Sequence, residues 1–220
     1  MRNPVLVAAV LLLAASVPGA AESAPSCHLV VDPVGDDHLI EEAGSSPASV
    51  GSLDITSADV ASDDRHVTAV IRLRSLTTVE PGAASGANYR VGFVVDDARF
   101  SMLAGRTADG TTRFWVSVSE TVGGVSAGRI LAYVDGVFDE DASEVRITSR
   151  RQVFGEVARI AAGTELARLT AESQRTAGVA ALPVSPFPNP YGFTVSNGAD
   201  EARSDASYAA GSPSCVVVGR

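Results

Sequence analysis

Asp63-Asp64-Arg65-His66-Val67-Thr68-Ala69-Val70-Ile71-Arg72-Leu73-Arg74 carries the pattern that decides the architecture. Val67, Ala69, Ile71 and Leu73 fall on one side of an extended chain, with Thr68, Arg72 and Arg74 on the other, because successive side chains of a strand point to opposite faces. Such alternation predicts a strand with one face buried and one wet, as in antiparallel sheets. Asp63-Asp64-Arg65 predicts the turn that joins it to a preceding strand.

The same period of two recurs along the chain. Tyr89, Val91, Phe93 and Val95 repeat it, as do Phe114, Val116 and Val118, then Ile130, Ala132 and Val134, then Val145 and Ile147 opposite Arg146 and Thr148. Leu53 and Ile55 have one parity and Ala58 and Val60 the other, which predicts a bulge near Ser57. Ala108-Asp109-Gly110 holds the Asp-Gly pair of a tight hairpin, and residues 139–143 read as a further turn. Residues 75–87, rich in Gly, Ala and Ser, suit a connection between sheets. Many short strands at this spacing predict an all-β, mainly antiparallel fold: a two-sheet sandwich of immunoglobulin-like or jelly-roll kind with minor helix.

The last third is less regular. Residues 150–158 suit a short helix, and residues 164–176 fit either a helix or an edge strand. Pro183, Pro186, Pro188 and Pro190 exclude a central strand there. Residues 198–214 read as polar loop, and residues 216–218 as a final short strand.

Arg2, an apolar run over residues 5–15, the breakers Pro18 and Gly19, and small residues at Ala20, Ala21 and Ala24 have the order of a cleavable signal peptide, residues 1–24. The run is shorter than the roughly 18–20 residues a membrane span needs. Residues 25–220 are then expected to form one exported domain, with no membrane span in the mature chain. Cys27 and Cys215, each in a Pro-Ser-Cys context, are expected to pair in an oxidising compartment and close the domain. Acylation of Cys27 is the alternative; Pro25 and the distance from the apolar run fit it poorly. Two cysteines alone lack the ligand count of a metal site.

All 17 basic residues are arginine, which removes every lysine-dependent chemistry, and the net charge of −9 disfavours nucleic acid and anionic membranes as partners. Gly124-Val125-Ser126-Ala127-Gly128 matches a serine-hydrolase pattern, but a strand follows it and His28, His38 and His66 all precede it, so it reads as a turn. The histidines lack metal-ligand spacing. No catalytic residue is expected. An enzymatic alternative would rest on a carboxylate pair such as Asp96 and Asp139.

Two features suggest binding. Asp32-Pro33-Val34-Gly35-Asp36-Asp37 places carboxylates on a glycine-containing turn, where they can converge on a hard cation such as Ca²⁺ or merely cap their own backbone. Trp115 is out of phase with Phe114, Val116 and Val118, so it shares the opposite face with Arg113 and Ser117. On a wet face it would stack on a sugar or anchor a partner; under a loop it would simply pack. Tyr133 has the same position on its own strand.

Asp32-Pro33-x-Gly35-Asp36 followed by Leu53-Asp54-Ile55 resembles the extracellular β-sandwiches that include family 9 carbohydrate-binding modules and DOMON-like domains. The likeness extends in pattern from Asp32 to about Thr170. It implies a sandwich fold and Ca²⁺ ligands at Asp32, Asp36 and Asp54. The family's paired tryptophans are not evident, and neither is the haem-ligating Met/His pattern of some DOMON-like domains. The expected function is a secreted, non-catalytic module for a glycan or envelope polymer, calcium-stabilised, with Trp115, Arg113 and Tyr133 on the ligand. The alternative is a structural or protein-interaction domain of the cell envelope.

Overall fold

The computed structural model describes residues 25–36, 51–76, 85–107, 110–122, 125–177 and 196–219. In chain order the strands are β1 (Val30–Val31), β2 (Ile55–Ser62), β3 (His66–Leu73), β4 (Ser85–Val95), β5 (Ala98–Arg106), β6 (Thr112–Val122), β7 (Val125–Tyr133), β8 (Asp135–Asp139) and β9 (Glu144–Arg150). A four-residue helix, α1 (Arg151–Phe154), precedes β10 (Glu165–Ala177), β11 (Ser196–Ser204) and β12 (Tyr208–Ala209). The smaller sheet has the order β1-β2-β3-β9-β8; the larger runs β11-β10-β4-β5-β6-β7, with β12 on β10. All the strand pairings are antiparallel.

The period-two pattern is what builds the sandwich. Val67, Ala69 and Ile71 of β3 and Val145 and Ile147 of β9 are fully buried, as are Phe93, Val95, Phe100, Met102 and Val116 of the larger sheet or nearly so. The rings of Phe93, Phe100 and Phe154 pack with centroids 5.4–5.8 Å apart, so α1 plugs one end of the core. Each such side chain contributes about 1.5–3 kcal/mol through removal from water. Tyr89 is buried by the same logic, with its hydroxyl donating to the Ser52 carbonyl at 2.8 Å. The expected bulge lies where the β2–β3 register slips between Ile55 and Ser57.

The smaller sheet departs from the wet-face expectation. Thr68 and Val70, on the outer side of β3, are buried too. The two chain ends cover them. Ser26 and Ser214 form a parallel bridge, Cys27 and Cys215 are joined by a disulfide with Cα atoms 5.3 Å apart, and Gly219 N–H donates to Thr68 Oγ1 at 3.2 Å. Leu29 N–H donates to Asp59 Oδ1 at 2.8 Å, while Arg72 reaches Asp59 at 2.5 Å and Glu144 at 2.9 Å. The polar groups under this cover are thus paired, as burial requires.

Four readings of the chain are corrected. Residues 164–176 are neither helix nor edge: β10 is a central strand, paired with β4, β11 and β12. The polar stretch 198–214 supplies most of β11 and all of β12; β11 buries only the small Ala202 among its described side chains, while β12 buries Tyr208. Residues 216–218 form turn rather than strand. Ile130 pairs with Ser117 rather than with a core position, because the β6–β7 register slips at Leu131 and reverses the facing. Residues 1–24, expected to be a signal peptide, the prolines at 183–190, Asp37, His38 and most of the 75–87 connection lie outside the described residues. No helix among the described residues is long and apolar enough to cross a membrane.

Candidate functional site

The acidic turn sits at a seam. β1 is an edge strand of the smaller sheet and β11 an edge strand of the larger, and the turn after β1 meets β11 there. Gly35 takes φ +90°, a conformation that favours glycine, and its N–H donates to both carboxylate oxygens of Asp54 at 2.9 and 3.0 Å. Asp54 is fully buried and ion-paired with Arg74 at 2.9 Å.

This pairing corrects the expected ligand set. Asp54 is spoken for by a backbone donor and a guanidinium, so it anchors the turn. The carboxylate that joins Asp32 and Asp36 is Asp200 of β11: each of the three presents an oxygen within 4.8 Å of the others. The cross-strand pair Ser173–Asp200 and the 2.7 Å hydrogen bond from Ile55 N–H to Asp200 Oδ2 fix its position. No local spacing in the chain could have revealed it, since β10 and β11 must first pair to bring it there.

The electrostatics are those of crowded carboxyls. Burial pushes the pKa of Asp200 up to about 7; the Ile55 N–H opposes this, while the contact with Asp32 and the charges of Asp32 and Asp36 add to it. Burial likewise raises Asp32, against the hydrogen bond with Asp200 and with the help of the Asp36 and Asp54 charges. Asp32 Oδ2 is buried and accepts from no donor. A buried carboxylate oxygen without a donor is costly, and a proton or a cation removes that cost. Three carboxylates with no sulfur or imidazole form a hard, all-oxygen donor set. The triad can hold a metal ion.

The second candidate lies on the outer face of the larger sheet. Trp115 of β6 pairs with Leu103 of β5 on one side and Tyr133 of β7 on the other. Trp115 is only 6% exposed. Its ring lies across Gly105, where an added Cβ would stand 3.3 Å from Cζ3. Tyr133 is 59% exposed, and Arg113, opposite Gly105, is exposed as well. The three expected ligand residues therefore share one face, with the tyrosine, not the tryptophan, the exposed aromatic.

Among the described residues, the other candidate groups of the sequence are not brought together. Asp96 sits in the turn at the Ala98 end of β5, whereas Glu140, next to Asp139, is bonded to Arg106 at the opposite end. That strand length is about 26 Å, far beyond the roughly 5–9.5 Å between glycosidase carboxyls. Residues 125–128 lie in β7, not in a strand-to-helix turn, and His28 precedes β1 while His66 opens β3. No protein-family model matches the chain, and no match was found among curated proteins or solved structures. The likeness to family 9 modules and DOMON-like domains thus rests on the sequence pattern alone.

Proposed function

We propose that the chain is a secreted, non-catalytic binding module: a signal peptide over residues 1–24, then one disulfide-closed sandwich that holds a glycan or envelope polymer on the outer face of its larger sheet. The observation that carries this reading is the exposed Tyr133 ring beside a buried Trp115. An exposed aromatic side chain suits a sugar ring, which offers apolar C–H surface on one side and hydroxyls at its rim. Arg113, two residues from Trp115 on the same face, adds a donor for those hydroxyls.

Calcium is the cation proposed for Asp32, Asp36 and Asp200. Its preference for six to eight oxygens fits three carboxylates supplemented by carbonyls or water. There it would tie β1 to β11 and so stabilise the sandwich without touching the glycan.

The test is a glycan and wall-polymer array, read with and without Ca²⁺ on the disulfide-bonded chain and on Tyr133→Ala. Retention that falls with Tyr133→Ala supports the module. Absence of retention on every polymer would sink it and leave the envelope protein-interaction role.

A further inference from the structure

The outer face of the larger sheet also carries a cleft of about 400 Å³ between β11, β10, β4 and β5. Small residues form its floor. Gly92 is buried there, and a Cβ on it would come 2.5 Å from Thr170 Oγ1; its cross-strand partner is Ser101, 6% exposed. Four guanidiniums line the cleft, those of Arg90, Arg99, Arg168 and Arg203, against three carboxylates. This concentration of cations stands out in a chain of net charge −9.

The cations are only partly spent on the acids. Arg90 pairs with Glu172, and Arg203 with Glu201 at 2.7 Å. Arg90 Nε is buried with no hydrogen-bond partner, and among the described residues Arg99 and Arg168 have no ion-pair partner. Arg168 takes φ +52° where the β10–β4 register skips from Ala167 to Thr170, an unfavourable conformation for a residue other than glycine. Burial lowers the pKa of Arg90, against the Glu201 charge and with the Arg99 and Arg203 charges.

The cleft and the aromatic patch lie on the same face of the larger sheet. Glu172, Arg90, Leu103, Trp115 and Tyr133 are successive cross-strand partners on one row. Four strand intervals separate its ends, about 19 Å. Guanidinium forks match a carboxylate in plane and with two hydrogen bonds. The acids beside them, Glu201 and Asp205 among them, suit hydroxyl donors and repel an extended polyanion. One anionic group flanked by hydroxyls satisfies both halves.

We propose that this cleft seats the carboxylate of a uronate residue in an acidic glycan whose neighbouring sugars run toward Tyr133. The proposal deepens the glycan-binding reading and rests on it.

The test uses the disulfide-bonded chain in EDTA and calorimetric titration with a short galactan oligomer carrying a single galacturonate, the methyl ester of that oligomer, and the all-galactose oligomer. The free acid is expected to bind at least about tenfold more tightly than its ester, the scale of one charge-assisted contact. Arg99→Gln with Arg168→Asn, both at exposed positions, should remove that advantage while leaving ester binding in place; Tyr133→Ala should weaken both. Equal binding of acid and ester, with Tyr133→Ala still weakening both, overturns the cleft proposal alone. Unchanged acid binding by the double arginine variant overturns it too, as does inorganic phosphate or dextran sulfate competing as well as galacturonate. Binding of none of the three oligomers overturns the cleft and the glycan reading together.

Discussion

Asp32 and Asp200 turn two carboxyl groups toward each other across the seam between the sheets, with the N–H of Ile55 on Oδ2 of Asp200. Neither carboxyl can supply a donor to the other unless one keeps a proton. A proton or a cation can relieve this crowding, and the two would compete for the same oxygens.

Stability without metal should fall as pH rises. The folded-state pKa of Asp200, about 7, lies above its ordinary 3.8, so between those values the folded chain holds a proton that the unfolded chain has released. The contribution is complete below about pH 4 and is lost as pH rises through about 7. Thermal unfolding in EDTA across that range should show the decline, and Asp200→Asn, which keeps the acceptor for Ile55, should flatten it. A decline of the same size in the variant would show that the carboxyl pair is not its source.

Calcium should reverse that loss. At a hundredfold excess over its dissociation constant a ligand adds about 2.7 kcal/mol, which for a domain of this size raises Tm by about 5–10 °C. Millimolar Ca²⁺ should produce such a shift at pH 7.5, and Asp36→Ala should abolish it. If wild type does not shift, the seam is a proton-sharing contact only.

Removing the disulfide should loosen one face selectively. Cys27 and Cys215 are 188 residues apart, and the chain-entropy model puts such a bridge at about 5 kcal/mol as an upper bound. Cys27→Ser with Cys215→Ser is expected to cost about 2–5 kcal/mol. Hydrogen exchange should quicken at Leu29 and Gly219, whose N–H groups reach Asp59 and Thr68. Uniform acceleration in β4–β6 as well would mean the ends hold the whole fold rather than cover one sheet.

Gly92 should tolerate no side chain. Its added Cβ would meet Thr170 Oγ1 at 2.5 Å, so Gly92→Ala should destabilise by about 1–3 kcal/mol, the usual cost of overpacking. Gly92→Ala with Thr170→Ser should recover part of it, because the Oγ can then rotate away. Denaturant unfolding reads both, and equal stability of Gly92→Ala and wild type would mean the cleft floor is looser than it is drawn.

Much of the sandwich was legible because burial on one face imposes a period of two, and β2, β3, β4, β6 and β9 carry enough Val, Ile and Phe to show it, whereas β5, with Phe100, Met102 and Ala104 inward, does not. β10 and β11 escaped for the opposite reason. Their inward residues, such as Ala171, Ser173 and Ala202, are small and in part polar, so they leave no apolar signature even though they are buried. Trp115 was readable in phase but not in exposure, since Gly105 beneath it belongs to a neighbouring strand.

From the chain alone came the all-β class, the Cys27–Cys215 pairing, the acidic turn at Asp32 and Asp36, and the facing of Trp115 and Tyr133, because all of these follow from local spacing or from simple elimination. Only tertiary structure decided that Asp200 completes the triad while Asp54 anchors it, that the chain ends cover Thr68 and Val70, and that four arginines share a cleft. Those are long-range pairings: strand register brings together residues whose separation in sequence carries no information about their distance in space.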